Sequence, residues 1–138
     1  MLAALVAAFT LTSPSFGPGA PIPKTYTCSG RNVSPALRWT APPRGTRAFA
    51  VTMDDTDAHF RHWVAWEIPG SVGGIAAGWQ PPRQGANSFG HRRYDGPCPP
   101  PGPPHHYLFR VYALDRDVGP PFTGHVLATA RLVGTFRR

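Results

Sequence analysis

Proline and glycine make up about a quarter of this chain, with 18 prolines and 15 glycines among 138 residues. Proline removes a backbone donor and clashes inside a helix, and glycine weakens both helices and strands. This composition excludes long uninterrupted helices over almost the whole chain. We therefore predict many short strands joined by ordered loops.

The chain has enough apolar surface to form one compact domain. Apolar residues make up 41% of it, including 8 Phe, 4 Trp and 4 Tyr. Residues 1–11 are mostly apolar but too few to cross a bilayer, which takes about 20 such residues. We expect an apolar leader or signal remnant over residues 1–8, a single domain over residues 9–138, and no transmembrane segment. Residues 6–8 resemble a signal cleavage site, but no basic residue precedes them, so a cytoplasmic and an exported location both stay open.

The chain is strongly basic, with 14 Lys and Arg against 7 Asp and Glu and a formal net charge of +7 at pH 7. Such a surface attracts anions, phosphates included. The basic residues are scattered rather than set on one helix or among exposed aromatic residues, so we do not expect nucleic-acid binding.

The two cysteines, Cys28 and Cys98, lie far apart and lack the close spacing of a redox or zinc motif. The sequence leaves open whether they pair or stay free. A disulfide between them would need an oxidising compartment.

Apolar residues alternate with small or polar ones in several stretches, which is the strand pattern. Residues 37–39 and 49–53 show it, and the turn residues between them suggest that the two strands form a hairpin or meander. Further strands are predicted at residues 9–16, as a first edge strand, and at residues 62–68 and 107–114.

Two segments have weaker patterns. Residues 71–104 hold much of the glycine and proline and predict a long structured loop. The sequence pattern over residues 126–136 predicts a helical turn that continues as a strand.

Polar groups that could bind a ligand occur at three predicted strand ends. Asp55 and Asp57 follow one strand and point the same way if the backbone stays extended. His62 begins the next strand, and His105 and Tyr107 begin another. If these ends meet, two carboxylates, two imidazoles and a phenol converge on a small cavity. Taken alone, each is more typical of a turn, a structural histidine or a packing tyrosine.

Six motifs follow one another along the chain: YTCSGRNVSPALRW at 26–39, DDTDA at 54–58, HWV at 62–64, GPCPP at 96–100, HHY at 105–107 and YALD at 112–115. Together and in this order they resemble the phosphatidylethanolamine-binding protein family, in its bacterial Raf-kinase-inhibitor-like branch. The resemblance implies a mainly β, Greek-key β-sandwich with few short helices and an anion pocket at one end. It places the pocket residues at Asp55, Asp57, Phe60, His62, Cys98, Pro99, Pro100, His105 and Tyr107.

The function that this resemblance implies is non-enzymatic binding of a phosphate-type anion or phospholipid headgroup, without a cofactor, in a regulator or inhibitor of kinases or proteases. In such a pocket the imidazoles and the phenol donate to phosphate oxygens, and the carboxylates fix the histidine tautomers. A nearby carboxylate also raises a histidine pKa.

The alternative is a metal-dependent hydrolase, because histidine and carboxylate ligands suit zinc and similar ions. Its ligands would be Asp55, Asp57, His59, His62 and His105.

The acidic motif also departs from the family pattern, since Thr56 and His59 stand where prolines are expected.

Overall fold

The computed structural model describes residues 7–138, and this part of the chain consists mainly of strands and loops. One 3-10 helix spans Lys24–Tyr26. The strands are β1 (Thr10–Thr12), β2 (Leu37–Thr40), β3 (Ala48–Asp55), β4 (Phe60–Pro69), β5 (Gly74–Ile75), β6 (Arg83–Gln84), β7 (His105–Leu114) and β8 (Val126–Phe136). Most of the expected leader, residues 1–6, lies outside the described residues.

The strands form two antiparallel sheets. One has the order β1-β2-β5, and the other has the order β6-β4-β3-β7-β8. This arrangement confirms the predicted mainly β sandwich. Between residues 7 and 138 there is no helix long and apolar enough to cross a membrane.

The hydrophobic core contains side chains from both sheets. Phe49, Val51 and Met53 of β3 are fully buried. The ring of Trp39 on β2 packs against Phe49, with the ring centroids 5.0 Å apart. Burying a large apolar side chain stabilises the fold by about 1.5–3 kcal/mol, so the period-two pattern of β3 marks residues that hold the two sheets together.

The expected hairpin between residues 37–39 and 49–53 is wrong. β2 pairs with β1 and β5, whereas β3 pairs with β4 and β7. Both strands have an apolar face, and the chain buries these faces against each other across the sandwich. The connection between them carries the chain from one sheet to the other.

The expected helical turn at the start of residues 126–136 is also wrong, because β8 is a strand from its first residue. It pairs with β7 from Val126 opposite Leu114 to Phe136 opposite His105. Hydrogen bonding to a neighbouring strand of matched length prevails over the weak local helical pattern. The predicted long loop contains the short strands β5 and β6.

A β-bulge interrupts β4 at His62. Met53 of β3 pairs with Trp63 and Asp54 pairs with Arg61, so His62 has no partner in the register. A bulge inserts one residue and redirects the side chains around it. Residues 62–65 are nevertheless all buried, because Trp63 and Ala65 pack in the main core and Val64 packs in a second apolar cluster.

Candidate functional site

A cavity of about 170 Å³ opens at one end of the five-stranded sheet. Its lining residues are Asp55, Ala58, Phe60, His62, Phe89, Cys98, Pro99, Pro100, His105 and Tyr107. All the residues predicted for the pocket line it except Asp57, and the sequence analysis had not singled out Ala58 and Phe89. Whether these residues contact a ligand remains a prediction.

Strand pairing brings three of the lining residues side by side. Asp55 lies opposite Phe60 of β4 on one side and Tyr107 of β7 on the other. Directly opposite residues of antiparallel strands have Cβ atoms about 4.5–5.5 Å apart. His105 precedes Tyr107 by two residues and therefore lies on the same face of β7. The carboxylate thus stands between an aromatic ring and a phenol.

Asp55 is only 4% exposed, and both of its carboxylate oxygens have donors. Oδ1 accepts from the backbone N–H groups of Asp57 at 2.9 Å and Ala58 at 3.0 Å. Oδ2 lies 2.6 Å from Nδ1 of His105. Because an ionised carboxylate only accepts, Nδ1 of His105 carries a hydrogen. As expected from the sequence, this carboxylate fixes a histidine, and it leaves Nε2 of His105 for other contacts.

A hydrogen bond to the main chain positions the His62 ring. Its Nδ1 lies 2.7 Å from the backbone oxygen of Asp95, and the side chain is buried, with the residue 4% exposed. Burial lowers the pKa of His62, although the hydrogen bond to Asp95 and the charge of Asp55 act in the opposite direction. The nearby carboxylate does raise the pKa of this pocket histidine, as expected, but desolvation is the larger effect and the net shift is downward.

The sequence analysis missed a buried polar network that supports His62. The Asn87 amide donates to the Asp95 carboxylate at 2.7 Å and to the backbone oxygen of His62 at 3.3 Å. His91 and Arg93 also contact the Asp95 carboxylate, at 2.8 Å and 3.0 Å. Burial opposes ionisation of Asp95, but these hydrogen bonds outweigh it and lower the pKa of Asp95. No local pattern in the loop marks these residues as a network.

Tyr107 is fully buried, yet its hydroxyl has no hydrogen-bond partner in the part of the chain that the structure describes. Burial raises the pKa of Tyr107, and the charge of Asp55 and the approach of the hydroxyl to that carboxylate raise it further, although the two groups do not reach hydrogen-bond geometry. The phenol therefore keeps its proton at neutral pH and remains a donor. Leaving a buried polar group unpaired costs roughly 1–3 kcal/mol, which a ligand oxygen in the cavity would recover.

The other wall of the cavity is the proline-rich segment at residues 98–100. Cys98 forms a disulfide with Cys28, which answers the question that the sequence left open. Pro99 and Pro100 have no backbone N–H to donate. Nη1 of Arg138 donates to the backbone oxygen of Pro99 at 3.3 Å. This wall therefore offers a ligand apolar ring surface rather than backbone donors.

Aromatic rings form the mouth of the cavity. Phe89 is 49% exposed, and its ring lies edge-on to Phe60 with the centroids 4.6 Å apart. The His62 ring contacts both, with centroid distances of 5.1 Å to Phe60 and 5.9 Å to Phe89. A large exposed aromatic ring at a cavity mouth is available to contact a ligand or a partner surface.

Asp57 does not line the cavity, because the backbone turns after β3 and alternation no longer applies. Its Oδ2 accepts from the backbone N–H of His106 at 2.6 Å and from the His106 ring at 2.9 Å. These two bonds lower the pKa of Asp57. His59 has a φ of 51°, which a proline ring does not allow. This backbone conformation is therefore consistent with a residue other than proline at position 59, where the family motif has proline.

The structure brings together three of the five ligands expected for the alternative metal site. Asp55, Asp57 and His105 each offer one ligand atom, all within 4.8 Å of one another. However, the Asp55 and His105 atoms that face each other already form a hydrogen bond, and Asp57 bonds to His106. His59 and His62 are not members of this group. A metal ion would have to displace existing hydrogen bonds, so the geometry favours the metal site less than the pocket.

Two sequence comparisons concern relatives of this chain. The family profile of the phosphatidylethanolamine-binding protein matches residues 12–137. A UPF0098 protein of Aquifex aeolicus is 37% identical over 155 residues, covering 91% of this chain and 86% of that protein. A Mycobacterium tuberculosis protein named as a lipoprotein, LppC, is 42% identical over 146 residues, covering 92% of this chain and 71% of that protein.

Solved structures show the same fold. A phosphatidylethanolamine-binding protein homologue from Chlamydia trachomatis matches with a TM-score of 0.86 and 32% identity, over 95% of this chain and 98% of that one. Escherichia coli YbcL, described as a member of the mammalian family of these proteins, matches with a TM-score of 0.87 and 30% identity, over 96% and 99% of the two chains.

Proposed function

Since the chain belongs to the phosphatidylethanolamine-binding protein family, we propose that its cavity binds a phosphate-type anion or the phosphate of a phospholipid headgroup without changing it chemically. The observation that carries this proposal is the hydroxyl of the cavity-lining residue Tyr107, a buried donor without a hydrogen-bond partner among residues 7–138. Buried polar groups are nearly always satisfied, and a phosphate oxygen is a suitable acceptor.

The size and charge of the site support a small anionic group. The cavity volume of about 170 Å³ is below the roughly 300–1,000 Å³ of sites that enclose drug-sized ligands. The chain has a net charge of +7, which raises the local concentration of anions. A headgroup or a free phosphate suits this volume better than an acyl chain does.

The direct test is a titration with inorganic phosphate, followed by NMR of the histidine ring nitrogens. We expect the signals of His62 and His105 to shift with saturable dependence on phosphate, while His125, which is bonded to Asp115 away from the cavity, serves as the control. An unchanged spectrum at His62 and His105 up to millimolar phosphate overturns the proposal.

The non-enzymatic part of the proposal has its own test. Elemental analysis of protein purified without added metal should find no stoichiometric transition metal, and incubation with O-phosphoethanolamine should release no inorganic phosphate. A bound metal at one equivalent, with phosphate release that is lost in Asp57→Ala, would instead support the metal-dependent hydrolase.

We also propose that ligand binding serves regulation of a protein partner, a kinase or a protease, outside the cytoplasm. The disulfide between Cys28 and Cys98 is typical of oxidising compartments, and the relative LppC is named as a lipoprotein. The test of location is fractionation of the source cells: recovery with the exported proteins supports it, and recovery only with cytoplasmic proteins in the thiol form contradicts it.

A purified kinase or protease assay tests the regulatory part. Inhibition by the parent protein and its loss in Tyr107→Phe would link regulation to the cavity. Equal inhibition by both proteins would place the partner contact elsewhere and contradict that link.

A further inference from the structure

The hydrogen bond at Nδ1 of His62 determines the tautomer of the ring. Its Nδ1 is 2.7 Å from the backbone oxygen of Asp95, and a carbonyl oxygen can only accept a hydrogen bond. Nδ1 therefore carries the hydrogen. In a neutral imidazole the other nitrogen then has a lone pair and no hydrogen, so Nε2 of His62 is an acceptor.

The neutral form of His62 is supported by its surroundings. Burial lowers the pKa of His62, and this effect is larger than the opposite effect of the charges on Asp55, Asp95 and Asp54, each of which favours the protonated ring. Phe60, Phe89 and Tyr107 pack their rings against it, with centroid distances of 5.1, 5.9 and 5.4 Å.

The position of the Asp95 carbonyl is itself fixed. The backbone N–H of Asp95 donates to the His62 backbone oxygen at 3.4 Å, and the buried Asn87 amide bridges the same oxygen, the Asp95 carboxylate and the Arg93 backbone oxygen. A fully satisfied buried network holds its members in one geometry. The lone pair of His62 is therefore a lasting property of the cavity wall.

Donors on the cavity wall are few. The Tyr107 hydroxyl donates, Pro99 and Pro100 have no N–H, and the carboxylate of Asp55 is an acceptor. Nε2 of His105 accepts when that ring is neutral and donates when it is protonated. Among the side chains that line the cavity, an oxyanion without hydrogen thus meets one constant donor, and it would place an oxygen lone pair against that of His62.

We propose that the cavity selects a phosphate group that carries its own proton, and discriminates against sulfate and against phosphodiesters, which carry none. The P–OH group donates to Nε2 of His62, while another phosphate oxygen accepts from Tyr107. The two rings pack against each other, with 5.4 Å between their centroids, and both residues line the cavity. This inference rests on the proposed function and specifies its ligand class as free phosphate or a singly protonated phosphomonoester rather than an intact phospholipid headgroup.

The test is calorimetric titration of the purified chain at pH 7.0 and constant ionic strength. The probes are inorganic phosphate, which retains at least one proton at this pH, sulfate, which has none, and glycerophosphoethanolamine, which is the phosphodiester of the lipid headgroup. We expect sulfate and the phosphodiester to bind at least about tenfold more weakly than phosphate, the ratio that one hydrogen bond of roughly 1.4 kcal/mol gives.

Three variants assign the discrimination to His62. In His62→Gln the side-chain amide can present either an oxygen or an N–H₂ group, so the ratio of phosphate to sulfate affinity should fall towards one. Tyr107→Phe removes a donor that both anions use and should weaken both by a similar factor. His125→Gln, away from the cavity, should leave both affinities unchanged.

Each outcome has a definite meaning. Absence of binding by every phosphate probe overturns the proposed function itself. Equal binding of phosphate and sulfate by the parent protein, or tighter binding of glycerophosphoethanolamine, overturns only the selection for a protonated phosphate. If His62→Gln does not fold, the His62 Nε2 signal of the parent protein decides: it should shift with phosphate and much less with sulfate, and equal shifts contradict the inference.

Discussion

His105 and Asp55 are 50 residues apart in the chain, yet Nδ1 of His105 lies 2.6 Å from the Asp55 carboxylate. The same carboxylate accepts two backbone N–H groups from the turn after β3. Asp55 therefore joins the end of β3, the turn and the start of β7 through one buried side chain. Asp55 therefore contributes to the stability of the site as well as to its chemistry.

We expect Asp55→Ala to lower the free energy of unfolding by about 3 kcal/mol, because it removes a charge-assisted hydrogen bond and leaves two backbone donors without their acceptor. Urea denaturation followed by tryptophan fluorescence measures the change. The matched control is Asp117→Ala, at an exposed position, which should change stability by no more than about 0.5 kcal/mol. Similar results for the two variants would contradict the structural role of Asp55.

Tyr107→Phe should have opposite effects on stability and on binding. Without phosphate, removing a buried hydroxyl that has no partner should raise the free energy of unfolding by about 1 kcal/mol. With phosphate, the variant should gain less stability than the parent protein, because ligand stabilisation follows affinity. Thermal unfolding with and without phosphate measures both. A variant that is less stable without ligand would show that the hydroxyl is satisfied in solution.

The stability that His62 contributes should decline as the pH falls from 7 towards 5.5. The pKa of His62 is lowered in the folded state, so the unfolded chain binds the proton first, near a pKa of about 6.5. Stability contributed by neutral His62 is present above that value and declines below it. His62→Gln should flatten the dependence of unfolding free energy on pH, and His125→Gln should not. An unchanged slope in His62→Gln would contradict burial as the dominant effect.

Removing the disulfide with Cys28→Ala and Cys98→Ala should lower the free energy of unfolding by about 4 kcal/mol, the chain-entropy value for a closed loop of about 70 residues. Phosphate affinity should fall as well, because Cys98 lines the cavity. Chemical denaturation and phosphate titration of the double variant measure the two effects. Unchanged phosphate affinity would show that the rim keeps its place without the bond.

Gly96→Ala should destabilise the fold at the segment that leads into the proline-rich wall of the cavity. A Cβ at this position would collide with the backbone oxygen of Tyr26, the Asn32 side chain and the Cα of Thr27, and overpacking costs typically about 1–3 kcal/mol. Gly17→Ala is the control, since a Cβ there has no neighbour within 4 Å. Thermal unfolding compares the two variants, and equal melting temperatures would argue against close packing at Gly96.

Much of the site was predictable because strand alternation is a local property. Asp55 closes a buried strand, and Tyr107 alternates with the core residues of β7, so both positions follow from period two and the resemblance of the motifs. Asp57 lies outside the cavity lining because the backbone turns after β3, and a turn points the next side chains in directions that strand alternation does not predict. Phe89 was missed because a single aromatic residue in a loop without periodicity gives no sign of where it packs.

The sequence by itself determined that this chain is a mainly β protein with strands at most of the predicted places and with acid, imidazole and phenol groups at strand ends. These features depend on residues close together in the chain. Only the tertiary structure decided which strands share a sheet, that Cys28 bonds to Cys98, that His62 occupies a bulge, and that the Asp95 carbonyl sets its tautomer. Those outcomes depend on contacts between distant residues, because long-range packing and burial, rather than local preference, determine their free energies.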